Sequence, residues 1–282
     1  MKQIVFVFIF GIITQSAVSQ NESGAAYNNF KGRLYIYWGW NRAMYTKSEI
    51  HFTGNNYDFT LHKVIAKDRQ SPIEARTYLN PTQATIPQYN FRVGYFIKSN
   101  YNISFGIDHM KYVVQQNQTV KVSGNIAGTG TQYDGTYDNN NVIIRDGFLK
   151  YEHTDGLNYL NFDLRRFDRI FDWNKVQIHF TEGVGVGGLY PRSDVTLINN
   201  ERNDKFHLAG YGMNVMAGLN IEFYKHFFIQ SDFKTGFINL PDVHTTNSEF
   251  DKARQHFFFS QVNILFGATF NLRKSKAKAE SK

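Results

Sequence analysis

Among the side chains able to do chemistry, His256 and Ser260 lie four residues apart, and Glu182 is a carboxylate inside an otherwise apolar alternation. A serine hydrolase needs a histidine that takes the serine proton and a third group that orients the histidine. Four residues of extended chain span about 13 Å, too far for a direct hydrogen bond. No His-X-Ser triplet occurs in the chain. The nine histidines, among them His51, His62, His109, His153, His207 and His244, are dispersed without metal-binding spacing, so no metal site is expected. The run GVGVGG over 183–188 lacks the Lys-Ser/Thr and the helix of a phosphate loop. Glycines in a strand more often admit a close neighbour. With no cysteine, thiolate metal sites, disulfides and a cysteine nucleophile are excluded. No cofactor is expected.

A second set of ionisable residues is placed by alternation. After residue 20 no stretch sustains a 3.6-residue apolar period, and period two recurs instead. It predicts strands over 34–41, 90–97, 101–108, 158–165, 176–187, 208–223, 227–237 and 256–272. In each, an apolar face opposes a polar one. Phe91, Val93 and Tyr95 oppose Arg92; Ile103, Phe105 and Ile107 oppose Asp108; Leu160, Phe162 and Leu164 oppose Asp163 and Arg165. Further along, Leu219 and Ile221 oppose Glu222, while Ile229, Phe233 and Phe237 oppose Asp232 and Lys234. The seven charges Arg92, Asp108, Asp163, Arg165, Glu222, Asp232 and Lys234 thus share one face, with Tyr35, Tyr37, His179, Asn214 and Asn220 beside them. If that face is an interior, the charges must pair or bear a heavy desolvation penalty. They then form either a narrow polar conduit or, the preferred reading, a salt-bridged plug.

Most of these strands are longer than the five or six residues of an average soluble strand. A tilted membrane strand needs about nine to eleven. Connections over 98–100, 168–175 and 224–226 are short, and those over 43–87, 115–146, 189–205 and 240–255 are long. Proline, which lacks the N–H that a ladder needs, is expected only in long loops, at Pro72, Pro81, Pro87, Pro191 and Pro241. The polar face is rich in Gly, Asn, Gln and Tyr and poor in Lys and Glu, unlike a sheet facing water. The aromatics Trp38, Trp40, Tyr101, Phe171, Trp173, Phe223, Tyr224 and Phe227 crowd strand ends, as interfacial girdles would. These features predict an all-β, antiparallel, up-and-down transmembrane barrel of eight strands. A hairpin over 49–53 and 57–64 is placed above the membrane; counted into the barrel, it would make ten.

Residues 1–19 have a basic start, a ten-residue apolar run and small residues at Ala17 and Ser19, the layout of a cleaved signal peptide. The segment over 264–270 (ILFGATF) resembles the terminal strand of Gram-negative outer-membrane β-barrel proteins, a resemblance that covers the whole mature chain and implies a barrel over residues 20–272. The Asn-, Tyr-, Phe- and Lys-rich texture resembles Bacteroidota proteins. The resemblance implies residence in the outer membrane, contact with its lipid and lipopolysaccharide, and insertion by the barrel-assembly machinery. Such proteins usually end on the terminal aromatic, whereas here a basic tail, 273–282, follows. That tail holds Arg273, Lys274, Lys276, Lys278 and Lys282 against Glu280. The net charge of +7 therefore gathers largely in the tail and marks no nucleic-acid surface.

The expected function is non-enzymatic: membrane integrity, surface binding, or narrow passage of small solutes. One alternative is a lipid A-modifying enzyme of the deacylase or acyltransferase kind, with His256, Ser260 and Glu182 as its weak candidates. The other is a soluble periplasmic lipocalin-like binder, with its apolar face inside. The loop over 128–141, polar and studded with Gly and Tyr, suits either surface binding or plain solvation.

Overall fold

The computed structural model describes residues 30–72, 74–78, 80 and 87–272. The expected signal peptide over 1–19, the tail over 273–282 and Pro81 lie outside these residues. In chain order the elements are β1 (Arg33–Tyr45), β2 (Ser48–Gly54), β3 (Tyr57–Val64), β4 (Ala66–Lys67), α1 (Ala75–Tyr78), β5 (Tyr89–Phe96), β6 (Tyr101–Val114), β7 (Thr119–Ile126) and β8 (Gly135–Ile143). There follow β9 (Leu149–Trp173), β10 (Val176–Leu189), β11 (Arg192–Leu197), β12 (Asn203–Phe206), β13 (Gly210–Phe223), β14 (Phe227–His244) and β15 (Lys252–Asn271).

Eight of these strands pair antiparallel in the order β1-β5-β6-β9-β10-β13-β14-β15, and β15 pairs back onto β1. The ring is staggered. From Tyr35, cross-strand partners run through Gly94, Ser104, Asp163, Gly185, Asn214, Gly236 and Phe259. They return to β1 at Tyr45, ten residues beyond the start. In an eight-stranded ring that offset tilts the strands by about 40°. The tilt leaves an interior just wide enough for side chains to fill.

Both faces follow the alternation. Ile36, Phe91, Phe105, Phe162, Val186, Met213, Phe233, Phe258 and Ile264 stand exposed on the outside. Tyr37, Arg92, Asn161, Asn214, Asp232 and Asn263 are buried inside. Toward the long-loop end the polarity of the two faces swaps. On β15, Val262 and Phe258 face outward but Arg254 and His256 follow them, while Gln261 and Asn263 inside give way to Phe257 and Ala253. On β14, Asp232 and Lys234 inside give way to Ile238, Leu240 and Val243.

The apolar upper interior is sealed by the long loops, which are folded. β2 pairs with the upper end of β15, and β3, β7 and β8 extend that sheet in turn. β11 and β12 pair beside the upper part of β9, and β4 beside β6. Together they enclose a core that includes Ile50, Phe52, Phe59, Leu61, Tyr112, Val122, Phe148, Tyr151 and Leu197. The β2–β3 hairpin sits in the first long loop and joins the ring strands only at this upper end.

Two expectations need correction. Pro241 lies within β14, not in a loop, but at a bulge between Leu240 and Val243, where a missing N–H is tolerated. The turn expected over 168–175 is shorter, because β9 continues to Trp173 and Asn174 takes a left-handed φ of 54°. Asparagine tolerates that conformation better than most residues.

Candidate functional site in the ring interior

The seven charged residues placed by alternation are each at most 3% exposed. Six of them form one neutral cluster, three cations against three carboxylates. Arg92 Nη1 is 2.6 Å from Asp163 Oδ2, and Arg165 Nη1 is 2.6 Å from Asp232 Oδ2. Lys234 Nζ is 2.5 Å from Asp108 Oδ2. Asp163 sits at the centre, with Arg165 at 3.5 Å and Lys234 at 3.8 Å as well. Arg92 also lies 3.8 Å from Asp108.

Neutral amides and hydroxyls take up many of the remaining sites, while the Nε atoms of Arg92 and Arg165 are buried without a protein partner among the described residues. Asn90 Nδ2 donates to Asp108 Oδ1 at 2.7 Å, and Asn161 Nδ2 donates to Asp108 Oδ2 at 3.2 Å. Arg92 donates to Ser104 at 3.1 Å and to the Asn161 carbonyl oxygen. Gln230 Nε2 donates to Asp232 at 3.0 Å and its carbonyl accepts from Asn220 at 2.9 Å. Tyr159 donates to Asn214, and Tyr35 donates to Asn102. Such extensive pairing is what lets charges remain ionised away from water.

The glycine run on β10 makes room for this cluster. A Cβ at Gly185 would collide with Asp163 Oδ1, and one at Gly183 would stand 2.8 Å from Arg165 Cγ. The GVGVGG run thus serves close packing.

Glu222 stands apart from the six. Its partner is Arg33, at 3.1 Å near the short-turn end. Sequence reasoning misses Arg33 because it starts the first strand one residue late. Arg33 has the parity of Tyr35 and Tyr37, and extending the alternation backward by one residue finds it.

The cluster is closed at both ends. Toward the short turns lie Phe30, Tyr35, Tyr37, Phe96, Phe167, Phe228 and Leu265. The void among Tyr35, Phe96, Glu222 and Gln230 has room for about one water molecule. His179 packs edge-on to Phe30 there, with ring centroids 5.1 Å apart. Toward the long loops stands the apolar core of the folded head.

The residues weighed for catalysis are not brought together. His256 is exposed on β15, opposite Asn239 of β14. Ser260 Oγ shares a hydrogen bond with Thr235 Oγ1 at 3.2 Å. Glu182 faces outward on β10, opposite Arg166 and Ala217, with β13 and β14 between it and β15. Arg166 binds Asp168 at 2.8 Å, so a small charged patch marks this outer face. A different Ser–His pair, unforeseen, joins Ser193 Oγ to His153 Nδ1 at 2.9 Å. Both residues are buried, and the imidazole packs against Tyr112 and Tyr151, so no substrate reaches it. Burial alone pushes the His153 pKa down to about 3, which keeps the ring neutral. Among the described residues, one set could hold a metal: His207, Asp242 and His244 at the upper end of the molecule.

No protein-family model matches the chain, and no curated protein matches it. Solved structures do. The outer membrane protein OprG from Pseudomonas aeruginosa matches at 9% identity over 86% of this chain and 98% of that one, with a TM-score of 0.43. The attachment invasion locus protein Ail of Yersinia pestis, solved with the heparin analogue sucrose octasulfate, matches at 11% identity over 85% of this chain and 99% of that one, with a TM-score of 0.31. The outer membrane protease OmpT from Escherichia coli matches at 7% identity over 84% of this chain and 96% of that one, with a TM-score of 0.25.

Proposed function

We propose that this chain is an outer-membrane β-barrel with a closed lumen, which acts without chemistry of its own, in membrane integrity or in binding through the folded head. One observation carries the reading: the ring is apolar outside and ionic inside. Exposed Phe, Ile, Val and Leu side chains stand on the outer face of all eight ring strands, interrupted on β9 and β10 by Arg166, Asp168 and Glu182, while the neutral cluster of six charges fills the interior. Water would penalise that exterior heavily, whereas hydrocarbon accepts it. A lipocalin-like soluble binder needs the reverse polarity.

The face swap on β14 and β15 supports a boundary between lipid and water at about Phe237 and Phe258. Phe171, Trp173, Tyr224 and Phe227 are exposed near the short turns and suit the opposite boundary. In this setting the partners are outer-membrane lipid and lipopolysaccharide, with the barrel-assembly machinery acting during insertion. The plugged interior argues against passage of solutes. The separation of His256, Ser260 and Glu182 argues against the lipid A-modifying reading.

Two measurements test the proposal. On fractionation the protein is expected in the outer membrane and soluble only with detergent; recovery in the periplasm without detergent overturns the barrel. In planar bilayers the purified protein is expected to give no channel events, and stable unitary conductance overturns the closed lumen.

A further inference from the structure

We propose that His207, Asp242 and His244 form a binding site for a divalent transition metal, zinc or copper(II), at the head end of the molecule. His207 follows β12, while Asp242 and His244 stand two residues apart at the upper end of β14, Asp242 within the bulge between Leu240 and Val243 and His244 just beyond it. One backbone hydrogen bond ties the two segments together, and a second anchors His207 to the chain between β10 and β11. The Asp242 N–H donates to the Ala209 carbonyl at 3.2 Å, and the His207 N–H donates to the Pro191 carbonyl at 3.1 Å.

This framework aims both imidazoles at one carboxylate. His207 Nε2 is 2.9 Å from Asp242 Oδ2, and His244 Nε2 is 4.0 Å from Asp242 Oδ1. The rings stack with centroids 3.9 Å apart and an angle of 24° between planes. The ligand atoms all lie within 4.8 Å of one another. Around a tetrahedral ion with bonds of about 2.0–2.2 Å, donor atoms sit about 3.4 Å apart, so the set closes when the two rings turn out of their stack and bring both Nε2 lone pairs onto the ion. Each side chain is roughly one-third exposed, which leaves an entry path and room for a water as fourth ligand. Two imidazoles and one carboxylate favour zinc or copper over calcium or magnesium, which prefer all-oxygen sites.

Lys252 supplies the competing interaction. Its ammonium lies 2.8 Å from Asp242 Oδ1, where the metal would bind. Metal binding therefore exchanges the ammonium for the ion, and the half-buried lysine swings toward solvent. A bare network of surface hydrogen bonds would show no such competition.

The test is a zinc titration of the full-length protein in detergent micelles, followed by calorimetry and by metal analysis after dialysis. One Zn²⁺ per chain is expected at micromolar affinity, undisturbed by excess Mg²⁺ or Ca²⁺. His207→Ala and His244→Ala should each weaken binding by at least about tenfold, since each removes a direct ligand. Lys252→Ala should tighten it. The copper(II) form should show two equatorial nitrogens in its electron paramagnetic resonance spectrum. Unchanged zinc binding in the His207→Ala/His244→Ala double variant overturns the site, as does failure of the wild type to retain zinc. Lys252→Ala keeps every ligand and so tests the site even where a histidine variant folds poorly: unchanged or weaker affinity there also overturns the proposal.

Discussion

Asp163 is the residue on which the interior depends most. It touches Arg92, Arg165 and Lys234, and it is 1% exposed. Replacing it by Ala leaves three buried cations facing two carboxylates. Breaking a buried pair by deleting one partner costs about 3–5 kcal/mol, because the orphaned charge keeps its desolvation penalty. Asp163→Ala is therefore expected to destabilise the protein by about that amount in urea unfolding from lipid vesicles. Arg33→Ala is expected to cost distinctly less, since Arg33 is 15% exposed at the rim and water can reach Glu222 once it is gone. Equal losses for the two variants would contradict a central role for Asp163. The positions of the inward charges were legible from parity alone, because a period of two fixes the face of every residue once one is known. Their pairing was not, since partners come from strands far apart in sequence, as in Lys234 with Asp108. The set of His207, Asp242 and His244 was hidden for the same reason, and a bulge beside Asp242 adds to the difficulty.

At the scale of the strand, one element crosses two environments. β15 carries Phe258, Val262 and Ile264 outward over one stretch and Arg254 and His256 outward over the next. On the neighbouring β14, Phe233 stands on the apolar stretch. Phe233→Arg is expected to cost about 2–4 kcal/mol in folding into lipid vesicles, the penalty of a charge near the bilayer centre. His256→Arg, beyond the swap, is expected to change stability by less than about 0.5 kcal/mol, as an exposed substitution should. Similar effects at both positions would displace the proposed boundary. The ring strands were legible because their alternation runs long. In the head only the β2–β3 hairpin was legible; β7 offers only Val120, Val122 and Ile126 as inward residues, and the Gly-, Asn- and Tyr-rich segment after it reads as solvated loop. Long-range pairing with β3 is what orders β7, and no local pattern encodes it.

The head also carries its own acid sensitivity. Asp194 on β11 is largely buried, which by itself raises its pKa, but hydrogen bonds from Arg202 and Lys150 outweigh burial and hold the carboxyl below its usual range. A depressed folded-state pKa adds stability above the unfolded value of about 4, and that stability is lost as pH falls through the folded value. The β11–β12 hairpin is thus expected to gain protease sensitivity below about pH 4, while the ring, whose ladder closes on itself, stays resistant. Asp194→Asn should flatten this pH dependence and lower resistance at neutral pH. Limited proteolysis with an acid-active protease at pH 3–5 and a neutral protease at pH 7, each calibrated on an unfolded substrate, checks both expectations; a hairpin equally resistant at every pH would contradict them.

Over the whole molecule the interior is a stack of three layers: aromatic at the short turns, ionic in the middle, apolar in the head. Composition could not reveal this order. Its many aromatics suggest a core, whereas a large share of them lies on the outer surface of the ring. The stack also decides how the lumen could be opened. Removing one cation opens space but orphans a carboxylate, so the ring loses stability before it gains a passage. Removing Arg165 together with Asp232 deletes a pair 2.6 Å apart and leaves Arg92 and Lys234 balanced by Asp108 and Asp163. The double variant Arg165→Ser/Asp232→Ser is therefore expected to be more stable than Arg165→Ser alone, by the margin of an unpaired buried charge, about 2–4 kcal/mol. It should also admit water beside Gly183, where Arg165 now packs. The aromatic layer below, where Phe228 packs across Tyr35 and Tyr37, and the apolar head above both stay intact, so no conductance is expected in planar bilayers, even when Phe228→Ala is added. Conductance in the double variant would mean that the ionic layer alone closes the lumen; conductance only in the triple variant would mean that the head leaves a passage above the ring.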